Sequence, residues 1–221
     1  MTHEEILKGL YDNTLIGNAP EVKDLTNTGL EEGLDPEKIL YDALIPSLEE
    51  VGARFERGDF FVPEMLIAAR AMQGALDILR PLLAETGAKP IGTYVMGTVK
   101  GDVHDIGKNL VNIMLEGAGF TVWDLGVNVA PEVFVEKVQE HQPDIVGFSA
   151  FLTTTMPMFK ANINALEKAG IRDHVIVMVG GAPVTQAYAD AVGADGYAAD
   201  ASTAVRLAKD LIAKKRSAVP A

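Results

Sequence analysis

Short, continuously apolar segments alternate with helical patterns through residues 89–221. Two of them, IVGFSA at 145–150 and VIVMVGG at 175–181, contain no charged residue, which is typical of strands buried on both faces of a sheet. Five strands are predicted in this region: PIGTYVMGTV, FTVWDLG, PDIVGFSA, HVIVMVGG and ADGYAA. Because a helical pattern follows each strand, the region is predicted to be a doubly wound parallel sheet of the Rossmann or flavodoxin-like type, in the α/β class.

Residues 1–88 show helical periodicity instead. Four helices are predicted, at 3–15, 19–32, 35–58 and 62–85. Pro46 lies inside the third pattern and predicts a kink or a helix boundary there. Four helices joined by short connections favour an N-terminal four-helix bundle. Glycines and a proline in AETGAKPIG, at 84–92, separate this bundle from the α/β region, so we expect one domain at 1–88 and a second at 89–221.

The charge of the chain limits its partners. The formal net charge is −12, and most of it lies in residues 1–88, where 17 acidic residues stand against 7 lysines and arginines. A nucleic-acid partner is not expected, because it requires a basic footprint. No apolar run reaches the roughly 18 residues of a membrane span, and the N-terminus is unlike a secretory signal. We therefore expect a cytoplasmic protein with no membrane partner.

Polar segments follow four of the predicted strands. They are KGDVHDIG, GVNVAP, SAFLTTT and GGAPVT. In open α/β sheets, ligands bind outside the carboxyl ends of the strands. Three of the four segments are rich in Gly, Ser, Thr or Asp where a short turn would suffice. The sequence therefore predicts a ligand site at this edge of the sheet.

His104 lies in the first of these segments, in an unusual setting. The carboxylate of Asp102 is placed to accept a hydrogen bond from its ring, as the partners of metal-ligating histidines do. Glycines at 101 and 107 let the backbone bend or approach a ligand closely. One histidine cannot build a protein metal site, and the chain has no cysteine ligands. A histidine can, however, supply one axial ligand to a metal held in a macrocycle.

The spacing around His104 resembles that of the cobalamin-binding, or corrinoid, proteins. Their signature is Asp-x-His-x-x-Gly, a gap of about 41 residues, Ser-x-Leu, a gap of about 26–28 residues, and Gly-Gly. Six residues here match it: Asp102, His104, Gly107, Ser149, Gly180 and Gly181. The one departure is Phe151, which stands where the family usually has leucine, and Leu152 is adjacent. The helical region with FFVPEMLIAARAM resembles the cap of methyl-transferring members, and the whole is similar to the cobalamin-binding region of methionine synthase.

The resemblance implies a role for each matching residue. His104 would be the lower axial ligand of the cobalt, Asp102 would hold its other ring nitrogen, and Thr155 would place a hydroxyl behind Asp102. Ser149, Gly180 and Gly181 would line a slot for the nucleotide tail of the cofactor, which Gly107 would let the first helix approach. The further cofactor-binding residues expected from it are Asp105, Phe151, Leu152 and Thr153, with Phe61 and Met65 of the cap. Packing in the bundle core is an equal alternative for Phe61 and Met65.

The resemblance also implies a function, that of a non-catalytic methyl carrier. The cofactor would be cobalamin, whose cobalt would alternate between methylated and Co(I) states. One expected partner is a substrate-specific methyltransferase, with a methylamine, methanol, a betaine or a methoxyarene as donor. A second would pass the methyl group to tetrahydrofolate or another pterin, or to a thiol, and a reductive-activation protein would be a third. A flexible hinge at 85–91 would let the cap move away.

Three alternatives remain open. The first is an adenosylcobalamin domain of a radical mutase, although such domains normally lack the preceding helical cap. The second is a cobalamin-dependent sensor or regulatory domain, which would need an output module that the sequence does not display. The third is a flavodoxin-like domain that binds flavin or no cofactor, which leaves the spacing of the six motif positions unexplained.

Overall fold

The computed structural model describes residues 1–86 and 90–218. The chain divides into two compact units, one formed by Met1–Pro90 with Glu116–Gly119 and the other by Ile91–Leu115 with Phe120–Ala221. The expected boundary between 88 and 89, and the centre of the expected hinge, lie outside the described residues. No helix within the described ranges is long and apolar enough to cross a membrane.

The first unit is helical, as predicted. Its α-helices are α1 (His3–Leu15), α2 (Ala19–Glu31), α3 (Pro36–Ile39), α4 (Ile45–Glu56) and α5 (Val62–Thr86). Side chains cap two of these helices: Thr2 forms a capping box with Glu5 at α1, and the Asp35 side chain accepts a hydrogen bond from the N–H of Glu37 at α3. Helix α5 packs against α2 and α4, and α1 packs against all three. Apolar residues on the facing sides of these helices, including Leu10, are fully buried and form the core.

Pro46 explains an irregularity in the third predicted helix. A π-helical segment, Leu40–Leu44, joins α3 to α4, and Pro46 lies in the first turn of α4. Proline has no N–H to donate, so the regular bond to the carbonyl four residues earlier cannot form. The N–H of Ile45 donates to the carbonyl of Leu40, five residues back, which widens the turn. The expected break at Pro46 is thus a π-helical turn between two α-helices.

The second unit contains a five-stranded parallel sheet. Its strands are β1 (Gly92–Thr98), β2 (Phe120–Asp124), β3 (Ile145–Ser149), β4 (Ile176–Gly180) and β5 (Gly196–Ala198). Their order across the sheet is β2-β1-β3-β4-β5. All five predicted strands are confirmed, each a few residues shorter than its apolar segment. The chain leaves β1 toward β2 and then returns past β1 to form β3, so the order of the strands reverses at the carboxyl ends of β1 and β3.

Helices cover this sheet. They are α6 (Ile106–Gly117), α7 (Pro131–His141), α8 (Pro157–Lys168), α9 (Gln186–Val192) and α10 (Ala201–Ala218), and a 3₁₀ turn, Arg172–His174, precedes β4. Alternate residues of β1, β3 and β4, such as Val95 and Phe148, are buried against Phe134 of α7 and Phe159 of α8. Right-handed crossovers place α6 on the opposite face from α7, α8 and α9, because the chain changes direction after β2. The sheet is therefore doubly wound, as predicted.

Candidate functional site

The candidate site lies at the reversal point of the sheet. Thr98 at the end of β1 pairs with Ser149 at the end of β3, and Ser149 pairs with Gly180 at the end of β4. Three strands thus end level with one another, and the polar segments that follow them leave the sheet at the same edge. This is where ligands bind in folds of this class.

An Asx turn explains why Asp102 precedes His104 by two residues. Oδ1 of Asp102 accepts a hydrogen bond from the backbone N–H of His104 at 3.0 Å, and His104 Nδ1 lies 2.7 Å from the same oxygen. Gly101 begins this turn with a φ of +85°, a backbone conformation that favours glycine. The local sequence therefore attaches both the backbone and the ring of His104 to one carboxylate oxygen.

The second oxygen of Asp102 is held by the loop that follows β3. Oδ2 accepts hydrogen bonds from the backbone N–H of Phe151 at 2.8 Å and of Leu152 at 3.2 Å. Thr155 Oγ1 lies 2.7 Å from Oδ2 and 2.8 Å from the carbonyl oxygen of Leu152. The structure thus brings together Asp102, His104 and Thr155 as the motif implied, and adds two backbone donors.

These donors keep Asp102 ionised although its side chain is fully buried. Burial raises the pKa of the carboxyl group, but the hydrogen bonds outweigh it. They come from the His104 backbone, the Thr155 hydroxyl, the His104 ring and the Phe151 backbone, and together they hold the pKa of Asp102 well below its usual range. Since the carboxylate stays charged, it accepts hydrogen bonds only, and the proton of its contact with His104 resides on Nδ1.

The other side of the His104 ring faces outward. Its side chain is 45% exposed, and among the described residues Nε2 has no hydrogen-bond partner. The ring of Phe151 stacks on the imidazole with centroids 4.3 Å apart. The two loops that Asp102 joins also expose large apolar residues: Val103, Ile106, Phe151 and Leu152. An imidazole with a free Nε2 and an exposed aromatic neighbour suits a metal held in a large, flat, apolar macrocycle.

The motif glycines differ in what requires them. Gly181 has a φ of +129°, and a Cβ atom there would overlap the carbonyl oxygen of Ala150, so the fold itself demands glycine. A Cβ atom at Gly107 would meet nothing within 4 Å. Because no atom of the described chain fills the space beside Gly107, that space is available to a ligand. The residues present therefore fit the implied cofactor at this edge.

The remaining site residues of this unit have less defined surroundings. Thr153 and Asp105 are exposed, and an oxygen of Asp105 lies 3.1 Å from the side-chain nitrogen of Asn109, within the first turn of α6. Ser149 and Gly180 are partly buried side by side in the paired strand ends. Their position agrees with a slot between strand ends, and their contact with a cofactor stays a prediction.

Residues that the motif does not contain also shape the His104 loop. Asn128, in the loop after β2, accepts a hydrogen bond from the N–H of Gly101 at 2.8 Å and donates its own N–H to the carbonyl of Asp102 at 2.9 Å. Thr98 Oγ1 donates to the carbonyl of His104 at 2.9 Å. The segment GVNVAP was expected at this edge, but its individual residues were not singled out. Asn128 could have been noticed as a residue that tolerates the left-handed conformation, which it adopts with a φ of +56°.

Phe61 and Met65 belong to the helical unit and differ in exposure. Phe61 precedes α5 and is 65% exposed, whereas Met65 is fully buried. The backbone N–H of Phe61 donates to Glu64, which caps α5 and leaves the ring outside the core. Burial of Met65 favours the core-packing alternative for that residue, and Phe61 keeps its predicted role in the cap.

Two family models match the chain, one in the α/β region and one in the helical region. The B12 binding domain model matches residues 92–206, and a second B12 binding domain model matches residues 6–80. Dimethylamine corrinoid protein 1 of Methanosarcina acetivorans is 44% identical over 217 residues, which cover 96% of this chain and 100% of that protein.

Two solved structures are similar along most of the chain. The methanol:cobalamin methyltransferase complex MtaBC from Methanosarcina barkeri aligns with a TM-score of 0.84 at 31% identity, covering 95% of this chain and 80% of the other. A cobalamin-binding protein from Desulfitobacterium hafniense DCB-2 aligns with a TM-score of 0.75 at 29% identity, covering 93% and 98%. The chain therefore belongs to the B12-binding corrinoid proteins, whose cofactor is a cobalt-containing corrinoid.

Proposed function

We propose that this chain is the methyl-carrying corrinoid subunit of a methyltransferase system, with His104 as the lower axial ligand of the cobalt. The observation that carries the proposal is the His104 ring, tied through Nδ1 to the buried Asp102 carboxylate while Nε2 stays free at the ligand edge of the sheet. A corrinoid held there by His104 would supply a cobalt centre for the transfer of a methyl group.

The Asp102–His104 pair controls how strongly Nε2 donates. Because Asp102 accepts the Nδ1 proton, the imidazole is held in the tautomer whose Nε2 lone pair is available for coordination. A neighbouring carboxylate also raises the electron density of the ring.

Thr155 and the Phe151–Leu152 backbone keep that carboxylate in place. Their hydrogen bonds to Oδ2 come from the loop after β3, so movement of this loop would change the bond between Asp102 and His104. The exposed apolar side chains of the two loops would offer the macrocycle an apolar surface. We also propose Phe61 of the helical unit as a cofactor-binding residue of the cap, since its large apolar ring is exposed.

The methyl donor is proposed to be a methylamine. Support comes from the relatives named for dimethylamine and trimethylamine, which match nearly the full length of this chain at 43–44% identity. The donor would be used by a separate substrate-specific methyltransferase, and a second methyltransferase would pass the group to a pterin or a thiol. A reductive-activation protein would restore the cofactor after adventitious oxidation.

Cofactor retention and an absorption spectrum test the proposal. The chain is incubated with hydroxocobalamin, free cofactor is removed, and wild type is compared with His104→Ala. Wild type should retain about one cobalamin per chain. Its absorption spectrum should be that of cobalt coordinated by a protein nitrogen in place of the cofactor's own base. His104→Ala should lose that spectrum.

An exposed histidine of the same unit provides the control. His174→Ala should leave both retention and spectrum unchanged, since His174 lies in the 3₁₀ turn before β4, at the opposite end of the strand from the site. If wild type retains no cobalamin, or if His104→Ala keeps the wild-type spectrum, the proposed ligand is wrong.

The donor is tested separately with cofactor-loaded, reduced protein. Methylation of the cofactor is followed by its visible spectrum in the presence of a dimethylamine-specific or a methanol-specific methyltransferase with its substrate. Methylation with the dimethylamine system alone is expected. Methylation with the methanol system alone would contradict the choice of a methylamine while leaving the carrier role intact.

A further inference from the structure

The ring stacked on His104 belongs to the one motif residue that departs from the pattern of the family. Phe151 takes the place of the usual leucine, and its centroid lies 4.3 Å from that of the imidazole, with an angle of 26° between the planes. Phe151 is 52% exposed, so packing in the core does not hold its ring in this position. The imidazole is the one ring with which Phe151 stacks among the described residues.

Both residues are hydrogen-bonded to the same carboxylate, His104 through its ring and backbone and Phe151 through its backbone. Asp102 Oδ1 holds the backbone and Nδ1 of His104, and Asp102 Oδ2 accepts the backbone N–H of Phe151 at 2.8 Å. The stack is thus built on a buried anchor and leaves the far edge of the imidazole exposed. A leucine at this position would keep the backbone hydrogen bond but would have no flat face to offer the imidazole.

The stack restricts a motion that the hydrogen bond leaves open. A hydrogen bond at Nδ1 fixes the position of one ring atom, but the imidazole plane can still turn about that contact. Contact with a flat ring at stacking distance disfavours such turning. Binding is stronger when a ligand group is already ordered in its bound orientation, since less conformational freedom is lost.

We propose that Phe151 is a positioning residue that fixes the plane of the His104 imidazole and thereby favours its coordination to the cobalt. The inference rests on the proposed function of His104. The resemblance to the corrinoid proteins does not supply it, because the leucine of the usual motif cannot stack. Replacing Phe151 by leucine is expected to lower the equilibrium constant for His104 coordination by roughly two- to ten-fold, the size of one aromatic pair interaction.

The geometry is tested first without cofactor. In the apoprotein, nuclear Overhauser effects are expected between the ring protons of His104 and those of Phe151. In Phe151→Leu, the imidazole signals should broaden or shift, while the amide signals of Asp102 and Thr155 stay in place. Absence of ring-to-ring effects in wild type would overturn the proposal whatever the cofactor does.

Coordination is then measured by visible absorption of the cobalamin-loaded protein, as the fraction of cobalt that carries the protein nitrogen. Phe151→Leu should show a lower fraction, and Phe151→Tyr, which keeps a flat ring, should match wild type. Phe60→Leu is the control and should leave this fraction unchanged. It makes the same substitution at a ring that packs against Arg54 in the helical unit.

The outcomes separate the two proposals. If wild type shows coordination that depends on His104 and Phe151→Leu shows the same fraction, the inference about Phe151 fails and the proposed function stands. If wild type retains no cobalamin, both fail. If Phe151→Tyr behaves like Phe151→Leu, loss of the ring face is not the cause and the positioning role is overturned.

Discussion

At the scale of single residues, the carboxylate of Asp102 joins two loops that are far apart in sequence. It accepts hydrogen bonds from His104 in its own loop and from Phe151, Leu152 and Thr155 in the loop after β3. A buried charge is tolerated only when such partners compensate for lost hydration. The same contacts therefore stabilise the fold and position the candidate ligand.

Asp102→Asn should destabilise the apoprotein. The asparagine amide carries no charge, and its NH₂ group is a donor that would lie where the surrounding groups need an acceptor. The free energy of unfolding should therefore fall by about 1–3 kcal/mol. Urea unfolding followed by circular dichroism measures the loss. Asp105→Asn is the matched control, because Asp105 is exposed and bonded to Asn109. Equal midpoints for the two variants would contradict the account.

The contribution of Asp102 to the free energy of unfolding should also decrease as the pH falls. The pKa of Asp102 lies well below its usual range in the folded chain, so the unfolded chain binds the proton more readily. Its contribution is complete above the unfolded pKa of about 3.9 and is lost as the pH falls toward the folded pKa. The stability difference between wild type and Asp102→Asn should therefore narrow below about pH 4. A difference that widens on acidification would contradict this sign.

Asn162 of α8 has no such compensation. Its side chain is fully buried beside Phe159 and Ile163, and neither of its polar atoms has a hydrogen-bond partner within the described residues. Asn162→Leu, which has a similar shape, should raise the unfolding free energy by about 1–3 kcal/mol. Asn164→Leu on the same helix, where the side chain is partly exposed, controls for helix propensity. A less stable Asn162→Leu would mean that this amide has a polar partner.

At the scale of elements, the loop after β2 holds the loop after β1. Asn128 accepts the N–H of Gly101 through its side chain and donates its backbone N–H to Asp102. It does so in the left-handed conformation, which asparagine and glycine tolerate and alanine does not. The position of His104 thus depends on a residue of a neighbouring strand connection.

Asn128 variants should separate the side chain from the backbone. Asn128→Gly can keep the left-handed backbone conformation but loses the side-chain acceptor for the N–H of Gly101. Asn128→Ala loses this acceptor and also disfavours the left-handed conformation, so it should be less stable than Asn128→Gly by ~1 kcal/mol. Asn128→Asp should be close to wild type, since it keeps an acceptor. Amide hydrogen exchange at Gly101 should be faster in the first two variants. Unchanged exchange in both would show that the loop holds its shape without Asn128.

Most elements could be predicted because their signals are local. The strands follow from apolar segments and the helices from periodicity, and Pro46 marked the irregular turn. The π-helical form of that turn was not predictable, since a missing N–H permits a kink, a boundary or a widened turn.

The site was predictable in part for the same reason. His104, Asp102 and Thr155 follow the spacing of the motif, and the structure brings them together. The contacts of Phe151, Leu152 and Asn128 depend on how separate loops meet in space. They involve backbone groups or a left-handed residue, neither of which a spacing pattern encodes.

At the scale of the whole molecule, the chain has two compact units, and His104 belongs to the α/β unit. A ligand that binds only the folded form adds stability that grows with the logarithm of one plus the ratio of its concentration to its dissociation constant. Cobalamin at about 100 times its dissociation constant should add about 2.7 kcal/mol to the unit that holds it. Calorimetry should show an upward shift of the transition of the α/β unit, and a smaller one in His104→Ala. Equal shifts in wild type and His104→Ala would contradict binding through His104.

The most direct test of the central claim is the electron paramagnetic resonance spectrum of the Co(II) form. The protein is produced with ¹⁵N-labelled histidine and loaded with unlabelled cobalamin. If His104 is the ligand, the axial nitrogen splits the cobalt lines into doublets with labelled protein and into triplets with unlabelled protein. Triplets in both samples would show that the cofactor keeps its own base, and His104 would not be the ligand.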